Sequence, residues 1–328
     1  MTDWDKVRLH VVTGKGGTGK TTVAAAMALA LASHGKHVLL CEVENRQGIA
    51  QLFDVPPLPY EERRIAQGPE NGGDVFALAI DAESAMLEYL QLFYRLGGRA
   101  GKALDRFGII DFATTIAPGL RDVILTGKVY EAVERNSRNK NARVYDAVVL
   151  DAPPTGRISQ FLNVNGEFGE IAKVGPVKGQ ADKVMQLLRS KRTAVHLVTV
   201  LEDMPVQETI DGISELGGAG LPVGSVIVNL VRPKTLDDTA RAQALKNKLP
   251  RDQVKAELEQ AGVVVSDGLV DGLLAEAHDH AERRALEDEQ RARIATLDNK
   301  VCELTRLPDG IDLGGLYELA LDLRDQGF

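Results

Sequence analysis

The sequence contains few of the residues that bind soft metals. Its 328 residues include two cysteines, Cys41 and Cys302, and no Cys-x-x-C pair. A cysteine zinc site within one chain is therefore not expected, because such a site needs clustered thiolates. Both cysteines fall in apolar runs, which predicts that they are small buried core residues.

Long apolar stretches and an excess of basic residues are also missing. No run approaches the roughly 18 consecutive apolar residues of a membrane-spanning helix. The start of the chain, residues 1–5, lacks the apolar core of a signal peptide. The formal net charge of −8 disfavours a nucleic-acid-binding surface. We expect a cytoplasmic protein with no transmembrane segment and no nucleic-acid partner.

Short apolar runs alternate with helical patterns along the chain, which predicts an α/β fold. Most of these runs are continuously apolar, as expected for a mostly parallel, doubly wound sheet with helices on both faces. We expect one domain over residues 1–328. The predicted strands cover 7–13, 37–43, 75–80, 145–151, 194–201, 224–231 and 300–304.

Three stretches depart from this alternation. Residues 82–135 and 159–192 are helical in pattern, the second with expected breaks at Gly166, Gly169, 175–176 and Gly179. We expect these two to form a helical subdomain on the ligand side of the sheet. The third stretch, 276–299, is densely charged and is predicted to be a solvated outer helix.

A glycine-rich loop follows the first predicted strand and precedes a helix. Residues 14–22 read Gly-Lys-Gly-Gly-Thr-Gly-Lys-Thr-Thr, the pattern of a phosphate-binding loop rather than of a simple glycine turn. Lys20 is predicted to reach the β- and γ-phosphates of ATP, and Thr21 to ligate Mg²⁺. The loop residues expected to contact ATP are Gly14, Gly16, Gly17, Thr18, Gly19, Lys20, Thr21 and Thr22.

Acidic residues end two other predicted strands. Asp151 closes an apolar strand and is predicted to hold Mg²⁺ as a Walker B aspartate does. The segment after it, 152–156, contains two prolines and a glycine, which suits a loop that responds to the γ-phosphate. Glu42 and Glu44 lie at the end of the second strand, on one face. We expect Glu44, further along, to position the attacking water; a structural carboxylate is the alternative.

A second lysine, Lys15, directly follows the first glycine of the loop. This arrangement resembles the deviant Walker A subclass, in which the extra lysine reaches across a dimer interface to the nucleotide of the other subunit. The resemblance implies a catalytic role for Lys15 like that of an arginine finger, worth about 10³–10⁵ in rate. A solvated loop cation is the alternative.

Five segments, taken in order along the chain, resemble the ArsA-type ATPases. This family includes arsenite-pump ATPases and ATPases that target tail-anchored proteins. They are 14–22, 38–53, 150–162, 202–229 and 304–319. The resemblance implies that Asn229 recognises adenine and that Pro308 packs beside the base. It also implies an ATP- and Mg²⁺-dependent dimer, formed with an identical chain or a paralogue, that acts on a protein client.

The chain departs from this family at informative places. Glu44-Asn45-Arg46 stands where the family has Asp-Pro-Ala, so the carboxylate is longer and the stiffening proline is absent. The cysteine cluster that binds metalloid is missing, so no arsenite site is expected. A dimeric ATP-driven switch is the leading hypothesis. A low-turnover nucleotide-gated scaffold and a ParA/MinD-like partition ATPase are the alternatives.

Overall fold

The computed structural model describes residues 4–43, 47–94, 118–136, 142–171, 176–308 and 310–328. Their strands form one eight-stranded sheet in the order β3-β4-β2-β5-β1-β6-β7-β8. Neighbouring strands pair in parallel, except for the antiparallel pair of β3 and β4. The strands are β1 Leu9–Gly14, β2 Val38–Glu42, β3 Arg63–Gln67, β4 Asp74–Ala79, β5 Ala147–Asp151, β6 Thr193–Thr199, β7 Val223–Val231 and β8 Val301–Thr305.

Helices connect the parallel strands, as parallel pairing requires. Two short 3₁₀ turns, Trp4–Lys6 and Pro69–Asn71, accompany them. The α-helices are α1 Lys20–Ser33, α2 Gly48–Leu52, α3 Ala82–Tyr94, α4 Pro118–Glu134, α5 Thr155–Ile171, α6 Pro176–Leu188, α7 Asp203–Gly218, α8 Asp238–Leu245, α9 Arg251–Gln260, α10 Asp267–Ile294 and α11 Leu313–Asp325.

The sheet is covered on both faces, which confirms the predicted fold class. Side chains alternate along β2: Val38 and Leu40 pack with α1 and α11, whereas Leu39 and Cys41 pack with α3 to α6. The alanine-rich α1 is buried almost all round, because it lies between the sheet, α2 and α11. The strands are therefore apolar on both faces, which explains why the sequence predicted them well.

The seven predicted strands are present, with small changes at their ends. The sequence did not predict β3, which pairs only with β4 at the edge of the sheet. Its residues, Arg-Arg-Ile-Ala-Gln, are largely exposed, so they carry no apolar run. Arg64 on β3 pairs with Asp74 on β4 at 2.6 Å, and charged edge strands of this kind resist pairing with other chains.

The charged stretch 276–299 was predicted to be a solvated outer helix; it is largely helical and mostly exposed or half-buried, but some of its charged side chains are buried. It lies largely in α10, whose Arg284 and Glu287 are buried. Arg284 Nη1 donates to Glu287 Oε2 at 2.9 Å, and Arg232 pairs with the other carboxylate oxygen of Glu287. Mutual pairing lets these charges be buried, because each retains a partner after water is removed.

The predicted breaks at Gly166, Gly169 and Gly179 were wrong. Helix α5 continues through the first two, and α6 continues through Gly179. Gly175 lies outside the described residues. A glycine in a helix costs only about 1 kcal/mol relative to alanine, which packing against neighbouring helices readily offsets. Helices α4, α5 and α6 pack against one another in this way.

Both cysteines lie in buried strand positions, as predicted: Cys41 on β2 and Cys302 on β8. Burial raises the pKa of the Cys41 thiol to about 12, so this thiol stays protonated. Within the described ranges, no helix combines the length and apolar character that crossing a membrane requires.

A pair of buried histidines lies on neighbouring strands, His10 on β1 and His196 on β6. His10 Nδ1 and His196 Nε2 are 3.1 Å apart, and Ser225 N–H donates to His196 Nδ1. His196 therefore donates from Nε2 to His10, and both rings are neutral. Trp4 and Phe328 pack beside the two rings. Burial, aided by Lys36, lowers the pKa of His10 to about 3; burial also places the pKa of His196 well below its usual value.

These histidines predict acid sensitivity. In the unfolded chain both protonate near pH 6.5, but in the folded chain they resist protonation, so stability falls as pH drops below about 6.5. The expected loss is on the order of 1 kcal/mol per pH unit for each neutral histidine. Urea unfolding at pH 7.5 and 5.5 measures it. The loss of unfolding free energy should be smaller in the double variant His10→Gln, His196→Gln. It should persist in His34→Gln, the control, because His34 is exposed. Equal pH dependence in the wild type and both variants would contradict this account.

Candidate nucleotide site

The candidate site lies where the carboxyl ends of the central strands meet. Strand β1 leads into the glycine loop and α1, and it lies between β5 and β6 in the sheet. The last residues of β2 and β5, Glu42 and Asp151, are paired in register. This edge of a parallel sheet is where α/β proteins bind ligands. The topology therefore places the loop beside both acidic strand ends.

The conformation of the loop requires glycine at particular positions. A Cβ atom at Gly14 would lie 2.2 Å from the backbone oxygen of Val198 on β6. Gly19 has a φ of +83°, and a Cβ atom there would lie 2.3 Å from Asn229 Nδ2. Gly17 also has a positive φ, of +88°. Any larger side chain at position 14 or 19 would push the loop away from β6 or β7.

Asn229 lies beneath the loop. This residue of β7 is buried, and its Nδ2 donates to the backbone oxygen of Thr18 at 2.9 Å. The next residue, Leu230, has a φ of +58°, and the pairing of β7 with β8 shifts register at this point. This irregularity bends the strand locally where Asn229 meets the loop. The amide of Asn229 thus supports the phosphate loop; its predicted contact with adenine remains a prediction.

Thr21 and Asp151 form the part of the site that suits a hard cation. The Thr21 hydroxyl, in the first turn of α1, donates to Asp151 Oδ2 at 2.6 Å. Magnesium binds such oxygen ligands, a hydroxyl and a carboxylate among them. Both residues line a cavity of about 280 Å³, together with Gly17, Gly19, Lys20, Glu42 and Ala152. The oxygen ligands in this cavity therefore suit Mg²⁺, and the glycine loop suits a phosphate chain.

The two lysines of the glycine loop contact different groups. Lys20 lines the cavity, and its Nζ lies 3.4 Å from the backbone oxygen of Lys15. Lys15 Nζ instead donates to Glu208 Oε1 on α7 at 2.6 Å. Glu208 Oε2 accepts from Thr155 at 3.2 Å, at the start of α5. Glu208 therefore links the phosphate loop to the segment that follows β5.

That segment is tied to β1 by two hydrogen bonds. Ala152 N–H donates to the Val12 oxygen at 3.0 Å, and the Thr13 hydroxyl donates to the Pro153 oxygen at 2.7 Å. Arg157, in the first turn of α5, lies 3.6 Å from Asp122 on α4. Burial raises the pKa of the Asp122 carboxyl, and Arg157 opposes that effect. The segment thus contacts the nucleotide cavity on one side and the helices on the other.

The remaining predicted site residues have mixed positions. Gly16 is exposed, and Thr22 is half-buried in α1. Pro308 is exposed in the turn after β8, at the same edge of the sheet. Glu44 lies outside the described residues. The proposed catalytic and base-binding roles of Glu44 and Pro308 therefore stay predictions.

Sequence reasoning assigned no role to two side chains that contact the predicted site. Glu208 pairs with Lys15, and Glu42 accepts backbone hydrogen bonds beside the cavity. Glu208 is 193 residues from Lys15 in sequence, so no local pattern joins them. Glu42 did carry a signal, because it ends an apolar strand next to Glu44.

Fold and loop together define a P-loop ATPase, and comparisons specify the family. The family model for anion-transporting ATPases matches residues 7–189. ATPase BagA of Mycobacterium tuberculosis is 55% identical over 321 residues, which cover 98% of this chain and 94% of BagA. ATPase GET3B of Arabidopsis thaliana is 24% identical over 302 residues, covering 78% of this chain and 71% of GET3B.

A third relative is longer than this chain. The arsenical pump-driving ATPase of Acidiphilium multivorum is 26% identical over 327 residues, covering 93% of this chain and 53% of that protein. The chain belongs to the ArsA family of anion-transporting ATPases and is, as a member, an ATP hydrolase.

The contact of Gly19 with Asn229 predicts that Gly19→Ala impairs nucleotide binding. A left-handed φ costs a non-glycine residue about 1–2 kcal/mol, and the clash with Asn229 adds to it, so the variant loop is expected to shift out of its binding conformation and affinity to fall about tenfold. Titration with a fluorescent ATP analogue measures the loss. Gly35→Ala is the matched control, because Gly35 has a φ of +77° but open space around it. Equal affinity of the Gly19 and Gly35 variants would contradict the role of the clash.

Proposed function

We propose that the protein is a dimeric, Mg²⁺-dependent ATP switch in which each subunit completes the nucleotide site of the other. The observation that carries the proposal is the position of Lys15. The chain has a complete phosphate loop whose Lys20 lines the nucleotide cavity, while Lys15 is directed to Glu208 on α7. A lysine directed away from its own cavity suits a role at a second subunit's nucleotide.

The switch has a physical route to the rest of the molecule. Loss of the γ-phosphate changes the contacts available to the segment after Asp151. That segment leads directly into α5, where Arg157 meets Asp122 of α4. In our proposal α3 to α6 form a helical subdomain that carries the response to a protein client. The pattern of Leu90, Phe93 and Tyr94 suits core packing or, as the alternative, a client patch, and these side chains fall outside the described residues.

The partner in the dimer is proposed to be a second copy of this chain or a paralogous ATPase subunit. The proposed compartment is the cytoplasm, where ATP is available. A low-turnover scaffold is the second candidate, favoured by Glu44-Asn45-Arg46, because a lengthened carboxylate without a neighbouring proline places the attacking water less strictly. A misplacement of about 1 Å can lower a rate by about 100-fold.

A mixing experiment tests the exchange of Lys15 between subunits. Lys15→Ala and Asp151→Asn are each expected to lower ATP turnover by about 10³-fold, because one lacks the lysine and the other the metal ligand. Mixed in equal amounts, they should regain about a quarter of wild-type turnover, since half of the dimers would hold one intact composite site.

The mixture also separates the two candidates. Recovery supports exchange of Lys15, whereas an active wild type with no recovery in the mixture contradicts it. A wild type that binds ATP without turnover favours the low-turnover scaffold. Circular dichroism of both variants checks that each is folded.

The pair of Lys15 and Glu208 gives a second test. To reach another subunit, Lys15 has to leave Glu208, so Glu208→Gln should favour the ATP-bound dimer. We expect the dimer dissociation constant to fall several-fold, in keeping with a partly exposed ion pair worth about 1 kcal/mol or less. Sedimentation in the presence of an ATP analogue measures it. Glu303→Gln, which removes a similar pairing with Arg291 elsewhere, is the control. A weaker dimer for Glu208→Gln would show that the carboxylate supports assembly instead.

A further inference from the structure

Glu42 is an acidic residue in a cavity proposed to hold phosphates. It is the last residue of β2, is 3% exposed, and lines the cavity with Lys20, Thr21 and Asp151. A buried carboxylate next to a polyphosphate is electrostatically unfavourable. Attraction of the nucleotide therefore does not explain its presence.

Both carboxylate oxygens of Glu42 are engaged by the backbone that follows. Oε1 accepts from the N–H of Gln47 at 2.6 Å, and Oε2 accepts from the N–H of Ile49 at 3.1 Å. Hydrogen bonds to an ionised acceptor are about twice as strong as neutral ones. The side chain of Gln47 also exchanges two hydrogen bonds with the backbone of Leu58. Residues 47–49 are thus fixed from two directions.

This fixed segment packs directly on the proposed metal ligand. A Cβ atom at Gly48 would lie 3.1 Å from the Thr21 methyl group and 3.7 Å from Glu42 Oε2. Gly48 thus lets the backbone approach Thr21 closely, and Glu42 keeps it there. On the other side, the Glu42 backbone oxygen accepts from Ile80 N–H at 2.8 Å, so the end of β2 is itself anchored.

We propose that Glu42 is a positioning residue for ATP hydrolysis. Its carboxylate holds residues 47–49 against Thr21, and so fixes the backbone that packs on the proposed metal ligand. Glu42 acts through the backbone and Thr21, and it touches neither ATP nor the attacking water in this role. The inference rests on the proposed function and adds a residue to which the predicted mechanism gave no part.

Glu42→Gln tests this directly, because an amide can accept through its oxygen but its nitrogen opposes the second backbone N–H. We expect kcat to fall between tenfold and a hundredfold while KM for ATP changes by less than threefold. Hydrogen exchange should accelerate at least tenfold at Gln47 and Ile49 and stay unchanged in β5. Glu42→Asp keeps the charge but shortens the side chain. Its kcat should stay low if the two backbone hydrogen bonds are what matters, and should return to the wild-type value if the charge alone matters.

Glu287→Gln is the matched control, because Glu287 is also a buried glutamate, at 4% exposure, but lies in α10 outside the cavity lining. It should lower the melting temperature and leave kcat unchanged. Normal kcat in Glu42→Gln, or unchanged exchange at Gln47 and Ile49, would overturn the proposal. Wild-type protein that fails to bind ATP would instead overturn the proposed function, and the exchange measurement would still decide whether Glu42 holds the segment.

Discussion

The site depends on a backbone constraint: the loop from Gly14 to Gly19 turns between β1 and α1 while packed against two further strands. Val198 of β6 leaves no room for a side chain at position 14, and Asn229 of β7 leaves none at position 19. The loop is therefore shaped by the sheet as well as by its own glycines. The alanine-rich α1, buried among the sheet, α2 and α11, keeps the N-terminus of the helix directed at the cavity.

Around this loop, acidic side chains have defined partners. Asp151 accepts from Thr21, Glu42 from two backbone N–H groups, and Glu208 from Lys15 and Thr155. Such pairing lessens the repulsion that these carboxylates exert on a phosphate chain, because hydrogen-bond donors already compensate their charge. It also joins the P-loop, the segment after β2 and the segment after β5 through side chains. A change at the γ-phosphate therefore bears on several elements at once.

The sequence predicted the central part of this arrangement because its signals are local. Seven strands are apolar over most of their length, and the loop at 14–22 has a defined spacing, so parallel topology places Thr21 and Asp151 at the same edge of the sheet. Strand β3 was missed because it is charged and exposed, and its strand character comes from pairing with β4. The pairs Lys15–Glu208 and Arg232–Glu287 join residues far apart in sequence, so tertiary packing is needed to bring these compensating charges together. Likewise, the hydrogen bond from Asn229 to the Thr18 oxygen depends on β7 lying beside the loop, which the sequence alone does not indicate.

The central claim is that ATP brings two subunits together around composite sites, and the mass of the ATP-bound particle tests it most directly. Light scattering should be measured on the purified chain with Mg²⁺ and a non-hydrolysable ATP analogue, and again without nucleotide. The account predicts a particle of twice the 35.5 kDa chain mass when the analogue is bound. A mass of one chain in every nucleotide state, with the analogue demonstrably bound, would contradict assembly of composite sites from copies of this chain.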